Sequence, residues 1–247
     1  MATLASKAEQ QKSDLIARAA ALAKTRLGDA RAPEVAEFVR VFYANVAFDD
    51  LSGDTPENLY AAALSLWNFG AQRKPRSAKL RVYNPRPDEH GWISHHTIIE
   101  MVNDDMPFLV DSLTAALHRR DLTVHLVIHP ILPVKRDPAG NRAAAGAGGA
   151  ESYMQIRINE QTSADRLAEI KQELEHVLAD VRDAVEDWRK MKAKAAEAIA
   201  SLDPPPPGLP QEEVAEARAF LQWIDDDHYT VLGYREYDFS GLDENAT

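Results

Sequence analysis

The stretch HTIIEMVNDDMPFLVDSLTAALHRRDLTVHLVIHP, residues 96–130, changes its hydrophobic period twice. Over its first part the apolar residues alternate. Ile98, Glu100 and Val102 fall on one face, and Thr97, Ile99 and Met101 on the other, the period-two pattern of a strand. From Phe108 the spacing becomes helical, through Leu109, Leu113, Ala116 and Leu117. The continuation LTVHLVIHPILPVKR (122–136) is rich in β-branched residues and reads as a long strand. Pro130 and Pro133 cannot donate to a ladder, so this strand is expected at a sheet edge or broken by a bulge.

Downstream, PAGNRAAAGAGGA (138–150) reads as a loop, and SYMQIRINE (152–160) as a strand with Met154, Ile156 and Ile158 on one face. A long helix is expected from about Ser163. Leu167, Leu174, Val181 and Trp188 recur by sevens, interleaved with Ile170, Val177 and Val185. Unbroken to Ser201 it would be ~57 Å long, against ~20 Å for a four-stranded sheet, so part of it must overhang or pack elsewhere. A heptad stripe of this kind marks either a helix covering a sheet or a coiled-coil seam, and covering a sheet is the preferred reading. DPPPPGLP (203–210) is a polyproline spacer. PQEEVAEARAFLQWIDDD (210–227) then reads as a helix and HYTVLGYREYDF (228–239) as a strand without a partner, so residues 211–247 are expected to open a following, truncated domain.

Upstream, PEVAEFVRVFYANVAF (33–48) carries one apolar stripe through Val35, Phe38, Val39, Phe42 and Val46. In SGDTPENLYAAALSLWNFG (52–70), Asp54 or Thr55 can cap a helix, Pro56 suits its first turn, and Gly70 ends it. Residues 8–26 form a third, Ala-rich helix, and KLRVYNP (79–85) a short strand. The expected organisation is a helical segment (1–75), an α+β domain (76–202), a Pro-rich linker (203–210) and the start of the next domain.

Strand, helix, strand, strand, helix over residues 96–190 is the opening of the split β-α-β, or ferredoxin-like, arrangement: an antiparallel sheet with two helices on one face. The missing fourth strand is either 228–239 or 79–84. The second is preferred, because the long helix and the prolines carry the chain away from the sheet.

The 247 residues carry a formal net charge of -11, which repels nucleic-acid phosphates and anionic membrane surfaces alike. There are no cysteines, so disulfides, thiolate metal sites and thiol nucleophiles are excluded, and a reducing compartment is expected. No secretory signal opens the chain, and no apolar run reaches the ~18 residues of a membrane span.

NDDMPFLVDSLTAALHRRDLTVHLVIHP (103–130) resembles the start of an ACT domain. GWISHHTIIEMVNDDMPFLVDS (91–112), AVEDWRKM (184–191), DDHYTVLGYREYD (226–238) and the helical LYAAALSLWNF (59–69) resemble the N-terminal region of the large bacterial NAD-dependent glutamate dehydrogenases. The similarity runs from about Val35 to Phe239. It implies a cytoplasmic, oligomeric oxidoreductase that converts L-glutamate to 2-oxoglutarate with NAD. This chain would then be a non-catalytic regulatory or assembly region, inactive alone and without a cofactor of its own. The alternative is a stand-alone ACT-type amino-acid sensor.

ACT domains bind amino-acid effectors near the first strand-to-helix turn, which here is Asn103, Asp104, Asp105, Met106 and Phe108 around Pro107. A helix start offers N–H groups to a carboxylate, and an Asp offers a partner to an ammonium. The simpler reading has one Asp capping the helix, Pro107 in its first turn and Phe108 in the core. His125 and His129, with His95 or His96, invite a zinc site, but no fourth ligand stands at a suitable spacing and a structural role is preferred. Gly146, Gly148 and Gly149 precede a strand rather than a helix, so they are not a dinucleotide loop.

Overall fold

The computed structural model describes residues 2–143 and 148–237. The chain divides into two compact units, Met1–Leu178 and Ala179–Thr247. In the first, α1 (Ala2–Leu27), α2 (Ala32–Tyr43) and α3 (Pro56–Phe69) precede β1 (Lys79–Tyr83) and a one-turn α4 (Pro87–His90). Then follow β2 (Thr97–Asp104), α5 (Leu109–Arg119), β3 (Val124–Ile128), β4 (Ile131–Val134), β5 (Gly149–Ile158) and α6 (Ala164–Ala200). The boundary between the units falls inside α6. The second unit holds the rest of that helix, α7 (Gln211–Trp223) and a π-turn at Ile224–His228.

The fold is α+β, with an antiparallel sheet in the order β1-β2-β5-β3 and β4 also paired to β5. The place of a fourth ferredoxin-like strand beside β2 is taken by β1, the preceding strand, as preferred from the sequence. The strand expected over residues 122–136 is split. β3 and β4 lie end to end along β5, separated at His129 and Pro130, and Pro133 sits on this outer edge, where no ladder donor is missed. The strand expected over 228–239 does not form among the described residues. No ladder among the described residues includes 229–236, and a strand without a ladder leaves its backbone groups to water.

Register assigns the two faces of the sheet. Ile99 opposes Ile156 and Met101 opposes Met154; Val102 opposes Tyr153 and Glu100 opposes Gln155. Val102 and Tyr153, with Ile128 and Val134, share one core with α1, α2 and α3. The other face, with Ile99, Met101, Met154 and Ile156 at most 1 % exposed, is left for α5 and the first part of α6. Those helices are joined by an Arg120–Glu173 ion pair. With both faces covered, β2 is buried from Thr97 to Asn103, its polar Thr97, Glu100 and Asn103 included.

Local chemistry sets the helix ends. Thr55 Oγ1 accepts from the Asn58 N–H at 3.2 Å with Pro56 in the first turn, so of the two capping candidates it is Thr55 that caps α3. α6 runs unbroken for 37 residues. Its buried positions in the first unit are Ile170, Leu174 and Leu178, a helical stripe rather than a strict heptad, and Trp188, on the seven-residue spacing, is 41 % exposed.

Candidate functional site

Two of the polar clusters in the first unit are candidate sites. At the corner between β2 and α5, Asp104 ends the strand and its Oδ1 accepts from Arg73 Nη2 at 2.5 Å. The Asp105 N–H donates to the Ala150 carbonyl, and Asp105 Oδ1 accepts from Ser152 Oγ at 2.7 Å. Ser152 Oγ lies 2.9 Å from His129 Nε2. Because the single hydroxyl hydrogen points at Asp105, His129 must donate, which fixes its proton on Nε2. This is no catalytic triad: Ser152 is fully buried and its proton is directed away from the imidazole.

Neither Asp caps α5. The N-cap is Phe108, in the left-handed region at φ 70°, and no side chain accepts from the first turn. Pro107 therefore precedes the helix, and Phe108 is 41 % exposed instead of core. With Phe108 in this conformation, the first-turn N–H groups of α5 have no side-chain cap. Of the five residues proposed for an effector, Asp105, Met106 and Phe108 reach the surface, Asp104 is held by Arg73, and Asn103 is only 1 % exposed.

A charged network braces this corner from behind. Arg136 makes a two-pronged contact with Glu151, Nε to Oε1 at 2.6 Å and Nη2 to Oε2 at 2.7 Å. Arg73 Nη2 bonds Glu151 Oε1 at 2.7 Å as well as Asp104. The Gly140 carbonyl accepts from Arg136 Nη1 and from the Arg73 backbone N–H. Gly140 has φ +84°, and a Cβ there would lie 2.2 Å from the Arg73 carbonyl oxygen, so only glycine fits.

The second place is an open cleft of about 680 Å³. It is walled by the end of α1, the turn at Phe48–Asp50, the start of α3, the segment 91–96 and the end of β5. Asn58 fixes two of these walls: its Oδ1 accepts from the Ile93 N–H, and its Nδ2 donates to the Ile93 carbonyl and to Asp54 Oδ1. Arg157 is the cationic side chain of the inner wall, 12 % exposed, with Nη1 3.8 Å from Asp54 Oδ2.

The histidines do not converge. His96 and His125 have ring centroids 4.6 Å apart, whereas the break at Pro130 turns His129 away to Ser152. Among the described residues no group of three His, Asp or Glu is placed to hold a metal. Burial, then His125, Arg157 and His95, hold the His96 pKa below the usual histidine range. Burial also lowers that of His129, with Asp105 opposing. Both imidazoles are therefore more acidic folded than unfolded, and stability should rise with pH through the region below 6.5, where the unfolded chain takes up protons first. Thermal unfolding measured from pH 5.5 to 7.5 should show the midpoint climbing, and a His96→Gln/His129→Gln double variant should flatten that climb.

Gly146 lies outside the described residues. Gly149 opens β5, so the glycine segment leads into a strand, offers no helix start to a pyrophosphate, and does not fit a dinucleotide. No helix among the described residues is long and apolar enough to cross a membrane. Sequence reading missed the cleft, because its residues come from five separate segments. The available signal was Arg157 on β5, a charge opposite Ile98 at a core-facing position.

The α+β architecture, with this ferredoxin-like antiparallel sheet, is that of an ACT-like fold. The family model described as "Glutamate dehydrogenase, ACT1 domain" matches residues 38–174, more than half of the chain. The chain belongs to that family. It is 38 % identical over 238 residues to the NAD-specific glutamate dehydrogenase of Halomonas elongata, covering 93 % of this chain and 15 % of that protein. It is 35 % identical to the enzyme of the same name from Pseudomonas aeruginosa, covering 88 % and 14 %, and 26 % identical to that of Mycobacterium tuberculosis, covering 56 % and 9 %. The chain thus spans about one seventh of the length of the first two relatives.

Proposed function

We propose that this chain is the non-catalytic N-terminal regulatory and assembly region of a large, cytoplasmic, homo-oligomeric glutamate dehydrogenase. The parent enzyme would oxidise L-glutamate to 2-oxoglutarate and ammonia with NAD, while this region binds no cofactor. The observation that carries the reading is the match of nearly the whole chain to a small fraction of proteins named for that reaction.

The β2–α5 corner is the proposed effector site. An amino acid would place its carboxylate on the uncapped first-turn N–H groups that follow Phe108 and its ammonium against Asp105, the carboxylate at the corner that stays exposed. The assembly role draws support from the second unit, where Phe220 (59 % exposed), Trp223 (45 %), Tyr229 (67 %) and Leu232 (66 %) are apolar surface of the kind that subunits and domains cover. The partners would be the rest of the polypeptide and other subunits.

Titration calorimetry with NAD should register no binding, and a thermal-shift panel of amino acids should raise the unfolding temperature with at least one of them. A ligand at 100 times its dissociation constant stabilises by about 2.7 kcal/mol. Asp105→Ala should abolish that shift; micromolar NAD binding, or a shift indifferent to Asp105, would overturn the assignment.

A further inference from the structure

The geometry points to a second, separate ligand site in the cleft between α3, the segment 91–96 and the end of β5. Its ligand is a small zwitterion, with a carboxylate held by Arg157 and an ammonium held by the acidic rim. The inference does not depend on the β2–α5 corner, which lies at the opposite end of β2.

Three observations carry it. First, Arg157 is nearly buried, and among the described residues its guanidinium makes no hydrogen bond; its Nε is buried without a partner, and its one ionic neighbour, Asp54, stands at 3.8 Å. A guanidinium has five N–H donors in a planar fork, and a carboxylate is the acceptor that satisfies two of them at once. Second, Trp92 lines the same cleft, is 3 % exposed, and its indole N–H also lacks an acceptor. Two unsatisfied buried donors among the residues that line one cleft are unusual, because buried polar groups are otherwise paired. Third, the walls are already fixed by the Asn58 bonds to Ile93 and Asp54, so little ordering is required for binding.

The charge balance selects the ligand class. The lining includes Arg26 and Arg157, but also Asp49, Asp50, Asp54 and Glu57. A phosphate or a dicarboxylate would meet four acids, and a plain amine would leave Arg157 unanswered. A molecule bearing one carboxylate and at least one ammonium answers both. The volume, about 680 Å³, admits a molecule of amino-acid or dipeptide size.

The test is ¹H–¹⁵N spectroscopy of the whole chain, reading the Trp92 indole N–H signal, assigned by Trp92→Phe. Glycine, L-alanine and L-lysine would be titrated, each beside its decarboxylated amine. At least one amino acid should move this signal saturably and its amine should not. Arg157→Lys, which keeps the charge and loses the fork, should weaken binding at least tenfold, and Glu57→Gln on the rim should weaken it less. Asp105→Ala should leave the Trp92 response intact even if it abolishes effects at the β2–α5 corner. A Trp92 signal unmoved by every amino acid overturns the inference. So does a response that survives Arg157→Lys unchanged or disappears with Asp105→Ala. If Arg157→Lys fails to fold, Glu57→Gln decides: unchanged affinity overturns the proposal.

Discussion

Replacing Glu151 by alanine should cost about 3–5 kcal/mol of folding stability, the range found when one member of a buried ion pair is removed. Glu151 is 3 % exposed, and two guanidinium groups converge on it: Arg73, with a side chain 3 % exposed, and Arg136, 7 % exposed. With Asp104 the cluster balances two positive charges against two negative ones. Without Glu151, two buried cations face one half-exposed Asp104, and neither can lose its proton at accessible pH. The carbonyls of Gly70 and Gly140 still accept from Arg136, but they carry no compensating charge. Urea titration should show a lower midpoint with an unchanged slope, since the same surface is exposed on unfolding. Glu151→Gln keeps the shape and one acceptor and should lose less than Glu151→Ala. A loss below about 1 kcal/mol for Glu151→Ala, the value of a surface pair, would mean that water reaches the cluster. Because this network holds Arg73 against Asp104, the variant should also loosen the β2–α5 corner.

The elements were legible and several of their partnerships were not. Period-two alternation in Thr97–Val102 and helical spacing in Phe108–Leu117 are local signals, and both elements form where the pattern sets them. Pro130 and Pro133 announced a broken edge for the same local reason. The corner was found through its turn, but its wiring was not. Arg73 lies 78 residues from Glu151, and nothing in either neighbourhood names the other. The capping expectation at Asp104 or Asp105 failed because both carboxylates are claimed by partners distant in sequence, Arg73 and Ser152. The histidines part because the strand break at Pro130 sends His129 toward Ser152 and away from His96 and His125. The stretch 229–236 has strand composition but forms no strand among the described residues, because composition alone cannot supply a ladder.

Tyr153→Ala should lower stability by about 3–5 kcal/mol, as for other buried aromatics cut back to alanine. Tyr153 is fully buried on the face of β5 that meets the N-terminal helices. Its ring lies 5.6 Å from Phe38 of α2 and 6.2 Å from Trp67 of α3, centroid to centroid, and its hydroxyl accepts from Arg142 Nη1 at 3.2 Å. The close approach of Gly70 leaves no side chain there to fill the space, since a Cβ at that position would already meet the ring at 2.5 Å. The cavity would open where the helical layer and the sheet share a core, so its effect reports on cooperativity as well as packing. A core that joins α1–α3 to β2 and β5 should open as one unit. Hydrogen exchange should then show protection in α2 and in β2 falling together, by the same free energy. If α2 amides kept their protection while β2 lost it, the helices would have a core of their own, and the aromatic contacts across the sheet would be only a docking surface. The packing argues for the first outcome, because the Tyr153 ring of the sheet packs against Phe38 of α2 and Trp67 of α3.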